Sequence, residues 1–311
     1  MDKEKFLENL DKFIDVIEPY VNNFWKILFR MLKRNNLYIL WFFVYFYLTF
    51  IMLRHSFGEQ TFGLCVLFYL SSLSIAIMCG DTIFSIIEGT RILETKREKE
   101  YLEPIFEEVY QSAKETYPSL PKIKLHIIDS LTVNAIAIGR HIIAVTQGAV
   151  DTFSREELKG VMAHEIAHIY NGDTKAVILN TIGNGIFAIV VVIIKLVLLI
   201  WEYFSMAFES KLLQFIFSAV RIIFEMLVFY ILWVGKFILS LNSRGNEFRA
   251  DQFAFEVNYG EQLIESLYLV QKMSLGEKMN LIKRMQSSHP RTSKRIGRLE
   301  KFVDEEFEND Q

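Results

Sequence analysis

Four stretches of this chain are almost free of charge, and the segments between them are polar. Leu37–Leu53 has no charged residue and is rich in aromatics. Phe62–Cys79 is a second uncharged run, closed by Gly80-Asp81. A short connection containing Gly58 and Glu59 joins them, so the pair predicts a transmembrane hairpin. Val177–Trp201 is broken by Asn180, Asn184 and Lys195, and Leu212–Leu241 by Arg221 and Glu225, with Lys236 near its far end. These two runs predict a second hairpin. The last run, 30 residues, makes about 45 Å of helix against a bilayer core of about 30 Å, so its end should run past the membrane towards a soluble part. Lys195 lies towards one end of its run and can snorkel. Arg221 and Glu225 are four apart and can neutralise one another.

The polar segments change period. Residues 2–34 place Phe6, Leu10, Phe13, Ile14, Ile17, Tyr20 and Val21 at helical spacing among charges, with Pro19 dividing the run. Such a helix lies on the membrane surface or packs on the body of the protein. Residues 91–117 predict a helix leaving the bilayer and entering a soluble domain, ended by Pro118 and Pro121. Ile123–Asp129 alternates as a strand does. Asn134–Ile138 and His141–Thr146 read as two more, joined by a hairpin at Gly139-Arg140, giving a three-stranded sheet. An edge strand there could hold an extended peptide. Ser154 with Glu157 is a capping-box pattern that starts a helix to Tyr170, and Asn171-Gly172 ends it. Residues 243–311 predict three helices, with an acidic, solvated end from Asp304 to Asp310. The chain therefore divides into an N-terminal helix (1–36), a first hairpin (37–90), a first catalytic part (91–175), a second hairpin (176–241) and a second catalytic part (242–311). This is a mainly α integral membrane protein of four transmembrane helices with a zincin-like α+β domain.

Composition agrees with the pattern. Just over half of the 311 residues are hydrophobic, 27 are Phe, and the mean hydropathy is positive, which is too apolar for an ordinary soluble enzyme. A net charge of −3 argues against a nucleic-acid partner. Cys65 and Cys79 both fall in one apolar run, so no disulfide framework is expected. The first 36 residues are charged throughout, unlike a cleavable signal peptide. Lys26, Arg30, Lys33 and Arg34 precede the first span, and Arg91, Lys96, Arg97 and Lys99 follow the second. The hairpin loops have only Arg54 and Lys211, while Lys236 stands near the far end of the fourth run and Arg244 and Arg249 follow it. The positive-inside rule then places both termini and the catalytic part on the cytoplasmic side.

The chemistry sits in His164-Glu165-Ile166-Ala167-His168. His164 and His168 are four apart on a predicted helix, so their rings share one face and can clasp one Zn²⁺. Glu165 projects about 100° round the helix and can take a proton from water activated at the ion. Two histidines leave a catalytic zinc site one protein ligand short. Glu247, after the fourth span, can supply it, and Asp251, one turn on, can accept the other N–H of a ligating imidazole.

HEIAH, Asn246-Glu-Phe-Arg-Ala-Asp251 and the placing of the spans, two before the histidines and two between them and Glu247, resemble the HtpX membrane metalloproteases. Their superfamily also contains the CAAX-prenyl proteases. The resemblance runs from Leu37 to Arg298. It implies a zinc endopeptidase of the gluzincin type, embedded in the cell membrane, that cleaves membrane proteins or unfolded polypeptides in quality control and stress response. His164, His168 and Glu247 match the family's Zn²⁺ ligands, Glu165 its catalytic base, and Asp251 the residue behind a ligand. Asn134-Ala-Ile-Ala-Ile-Gly-Arg140 is similar to the family's substrate-binding edge strand, so Asn134, Ala135, Ile136 and Ala137 are expected to meet substrate. Ile136 and Ile138 stand where the family has Phe and Thr. Ser288-His289-Pro290-Arg291-Thr292 looks like the family's His-Pro-Pro-Thr element, with Arg291 for the second Pro. His289 could donate to the oxyanion of a tetrahedral intermediate. Asp173 also fits the family pattern, but spacing assigns it no role.

Three other readings compete. A prenyl-peptide protease would share the metal motifs but have more spans. A non-catalytic chaperone or adaptor with a structural metal would fill all four positions with protein ligands, usually cysteine. A transporter would exploit the buried charges, but four spans are few for one.

Overall fold

A computed structural model describes residues 36–207, 210–273 and 290–309. The amphipathic helix expected over 2–34 and His289 lie outside these residues.

The first hairpin is α1 (Asn36–Phe57) and α2 (Thr61–Ile87), joined by a 3-10 turn at Gly58–Gln60. Its helices lock through aromatic edges: Tyr69 meets Phe42 at 5.3 Å and Phe46 at 5.0 Å between centroids. The Tyr69 hydroxyl hydrogen-bonds Thr49 at 3.0 Å, satisfying two polar groups that face no water. The second hairpin begins with α6 (Asp173–Gly183) and α7 (Gly185–Ala207), which are separated only at Asn184. It returns as α8 (Lys211–Glu256), one helix of 46 residues. Among the described residues, four helical segments are long and apolar enough to cross a membrane, as the pattern predicts. Arg221 and Glu225 do pair, at 3.4 Å, but Arg221 makes a shorter bond of 2.6 Å to Glu202 of α7. Glu202 also accepts from Ser218. The charges thus clip the two helices of the hairpin together.

Between the hairpins lies β1 (Thr90–Ile92), α3 (Lys96–Thr116), β2 (Lys124–Ile128), β3 (Ala135–Ile138), β4 (Ile142–Thr146), the short α4 (Gln147–Thr152) and α5 (Arg155–Asn171). After α8 come α9 (Gly260–Met273) and α10 (Thr292–Asn309). The sheet has four strands, not three, in the order β1-β2-β4-β3. β1 pairs antiparallel with β2, β2 runs parallel to β4, and β3 is antiparallel to β4. Thr-Arg-Ile is too short to show a period, and only the β2 edge makes it a strand. The helix expected over 91–117 accordingly starts later, at Lys96. There Thr95 and Glu98 form a reciprocal capping box that satisfies the free N–H groups of the first turn.

The main core lies between α3, the sheet, α5, the end of α8, α9 and α10, filled by Ile105, Ile127, Ile143, Leu158, Ile166 and Leu299 among others. A smaller cluster joins the sheet to the membrane helices: Ile138 packs with Ala76 of α2 and Ile178 of α6. Arg140 N donates to Asp81, in the last two turns of α2, so the β3–β4 turn is fixed to the first hairpin.

Candidate metal centre

Ser154 caps α5 reciprocally with Glu157, as the sequence predicts. The apolar side of α5 is buried against the sheet and α9, and a Cβ on Gly160 would stand 2.3 Å from the backbone nitrogen of Leu263. Glycine is thus what lets α5 and α9 meet backbone to backbone. With that face buried, the histidines have a fixed direction. His164 is buried and His168 half-buried, and their Nε2 atoms stand 3.2 Å apart. The continuous rod of α8 carries Glu247 out of the membrane to the same place. Its Oε2 is 3.5 Å from His164 Nε2 and its Oε1 is 3.7 Å from His168 Nε2.

These spacings can be tested against a metal. Donors about 2.0–2.1 Å from a tetrahedral ion lie about 3.3 Å from one another. Separations of 3.2, 3.5 and 3.7 Å match that figure closely. His164, His168 and Glu247 form the group of potential metal donors found among the described residues. Two imidazoles and one carboxylate also suit zinc chemically.

Each imidazole is held from behind. His164 Nδ1 lies 3.1 Å from Asp251 Oδ1, and His168 Nδ1 lies 3.1 Å from Asp173 Oδ2. When each imidazole is neutral with its proton on Nδ1, that N–H donates to the carboxylate and the Nε2 lone pair faces the shared space. Burial and the Arg295 charge oppose protonation of His164, but Asp251 and Glu247 outweigh both and hold its pKa up at about 9. For His168 burial again works downward, and the Asp173 hydrogen bond turns the balance upward. The carboxylates behind and beside the rings are what turn both balances upward.

Arg295 of α10 is the residue that sequence reasoning missed. It is buried and reaches Asp251 through Nε and Nη2 at 2.9 and 2.6 Å. Its Nη1 is 3.1 Å from Glu247 Oε2, and its Nη2 is 3.3 Å from both ring nitrogens of His164. A signal existed: Arg295 shares the buried face of α10 with Ile296 and Leu299, and a charge on such a face needs a partner. Glu165 is half-buried on α5 beside the triad. His289, outside the described residues, is not placed.

β3 is an edge strand in this sheet. Asn134 O accepts from Thr146 N, and Asn134 N donates to the Thr146 hydroxyl. Ala135 stands opposite Val145 and Ile136 opposite Ala144. By the alternation of an antiparallel ladder, Ile136 and Ile138 bond β4, while Ala135 and Ala137 turn their N–H and C=O to the unpaired edge. The side chains alternate too. Ala135 and Ala137 pack on the main core, and Ile136 and Ile138 pack towards the membrane helices.

Residues 96–303 match the family described as peptidase family M48. A "Protease HtpX homolog" of Dictyoglomus turgidum is 26% identical over 312 residues, covering 92% of this chain and 94% of the relative. Another, from Methanocaldococcus jannaschii, is 28% identical over 248 residues, covering 72% and 82%. Among solved structures, that of S. mikatae Ste24p superposes with a TM-score of 0.51 at 16% identity. The superposition covers 91% of this chain and 66% of that one, just under two thirds of the larger protein, and shows a shared fold. With its family match spanning more than half of its length and four apolar helices in place, the chain belongs to peptidase family M48 and is an HtpX-type membrane metalloprotease.

Proposed function

We propose that this protein is a zinc endopeptidase that cleaves extended segments of membrane proteins or unfolded polypeptides at the cytoplasmic face of the cell membrane, in membrane-protein quality control. The observation that carries this reading is the arrival of Glu247, along a helix that crosses the membrane, within 3.7 Å of both histidine Nε2 atoms. In this reading His164, His168 and Glu247 hold the ion and Asp251 orients His164. A zinc ion held by these residues would supply Lewis acidity towards water and the scissile carbonyl. The rest belongs to the chain. Glu165 accepts the proton of the attacking water and returns it to the leaving amine nitrogen. The outward N–H and C=O groups of Ala135 and Ala137 hold the substrate backbone as an added strand, fixing its register. Asn134 and Ile136 support that strand, and their own backbone is turned to β4. His289 is kept as a candidate donor to the oxyanion.

A strand-type mode selects extended backbone over a particular side chain, which suits unfolded loops and tails. The position of the site supports a membrane substrate, because Asp173, which holds His168, is also the first residue of α6. The cytoplasmic assignment rests on the Lys and Arg bias at the span ends.

Purified full-length protein in detergent, assayed against an unfolded membrane protein, tests this reading. Cleavage should stop with a chelator and return with zinc. Glu165→Gln should retain zinc and lose cleavage by at least about 100-fold, the lower range for a general base. Normal turnover in that variant rejects the assignment of the base. Cleavage of a farnesylated peptide alone would favour the prenyl-peptide alternative.

A further inference from the structure

We infer that Asp173 is the positioning residue for His168, and that through it the first turn of a membrane helix sets the affinity of the metal centre. The inference rests on the ligand reading above and adds a residue to it. Four observations carry it. Asp173 is 4% exposed, so its carboxylate is stabilised by specific partners and not by water. Its Oδ2 lies 3.1 Å from His168 Nδ1, the geometry of an N–H donating to a carboxylate. The chain can make this contact only because it reverses at once: Gly172, at φ +76°, ends α5 and donates its N–H to the His168 carbonyl. Asp173 then opens α6. His168 is therefore gripped twice by the same turn, at its carbonyl by Gly172 and at its ring by Asp173.

The turn also touches the other parts of the site. Asp173 Oδ1 is 3.9 Å from Arg249 Nη2, two residues past Glu247 on α8. The Thr174 hydroxyl donates to the Gly139 carbonyl at the end of β3, at 2.5 Å. One turn of α6 thus meets a ligand ring, the helix carrying the third ligand and the edge strand. Within it, Asp173 alone contacts a ligand side chain. The arrangement gives each imidazole its own carboxylate, Asp251 for His164 and Asp173 for His168. Such a carboxylate fixes the tautomer and raises the basicity of the coordinating nitrogen, and its loss typically costs 10–100-fold in metal affinity.

The test uses full-length protein in detergent. Zn²⁺ affinity is measured by competition with a chromophoric chelator, and the Co²⁺-substituted protein gives an electronic spectrum of the ligand field. Asp173→Ala should weaken Zn²⁺ by 10–100-fold and alter the Co²⁺ bands. Asp173→Asn, which keeps an acceptor but no charge, should fall between Asp173→Ala and the wild type. Thr174→Val, which removes the other side-chain bond of the turn, should leave Zn²⁺ affinity unchanged. The inference is overturned if Asp173→Ala and Asp173→Asn bind Zn²⁺ as the wild type does, even with a lowered melting temperature. It is also overturned if Thr174→Val loses as much affinity as Asp173→Ala, because the turn and not the carboxylate would then matter. His168→Ala separates the two levels. If it loses Zn²⁺ while the Asp173 variants do not, only the positioning role falls. If it binds as the wild type does, the ligand reading falls as well.

Discussion

At the scale of the residue, Arg295 shows how two buried carboxylates beside the candidate metal donors are kept together. Glu247 and Asp251 are both buried on one helix, one turn apart, and two buried carboxylates repel. The Arg295 guanidinium bonds both, so the repulsion between the two carboxylates is offset by a cation that belongs to the protein. Removing one partner of a buried ion pair destabilises by roughly 3–5 kcal/mol. Arg295→Met should therefore lower the unfolding midpoint of metal-free protein, and added zinc should restore part of the loss by supplying positive charge in its place. An unchanged midpoint in the metal-free variant would show that the pairing contributes nothing. Asp173, to which spacing assigns no role, becomes a contact of His168 for the same kind of reason. A buried charge needs a partner, and the fold provides one.

At the scale of the element, α3 depends on a charge cluster at its start. Arg91 of β1 meets Glu98 of the capping box and Asp129 past the end of β2, each at 2.8 Å. Its hydrogen bonds, with those from the Thr95 and Glu94 N–H groups, pull the Glu98 pKa down to about 2. Asp129 is lowered by the same Arg91 bond. An unfolded Glu titrates near about 4.3, so the contribution of Glu98 is complete above that pH. It is lost as the pH falls towards 2. Arg91→Gln removes the cause of the depression. The variant should melt lower than wild type in detergent at pH 6, and the difference should narrow on going to pH 3. A difference that stays constant with pH would assign the effect of Arg91 to packing. The capping residues of α3 and α5 play a parallel part: each starts a helix at the register that points its buried face inward.

At the scale of the molecule, the metal centre is assembled from both sides of a membrane excursion. α5 supplies two donors, the chain enters the bilayer as α6 and α7, and α8 returns with the third. The Arg221–Glu202 contact between α7 and α8 fixes how the returning helix sits against the outgoing one. If the positive-inside assignment holds, single cysteines placed at exposed Arg97 and Lys301 should react with an impermeant maleimide only after the membrane is opened from the cytoplasmic side. A cysteine at exposed Glu59, in the first hairpin turn, should react in intact cells. The reverse pattern would turn the site to the outside and remove cytoplasmic segments as substrates.

The number of spans, the start and end of the histidine helix and the overrun of α8 were legible from the amino-acid order, whereas Glu247 and Asp251 stood out only when set beside the distant histidine motif. The first three rest on local rules: an uncharged run long enough for a bilayer, or a capping pair three residues apart. β1, the Glu202 partner of Arg221, the contact of Asp173 with His168 and the reach of Arg295 to His164 were decided by tertiary structure alone. Arg295 and His164 are 131 residues apart in sequence, and β1 is a strand only because β2 lies beside it. Local periodicity says which face a side chain takes on its own helix. Only packing says what stands opposite that face, and there the partners of buried charges are chosen.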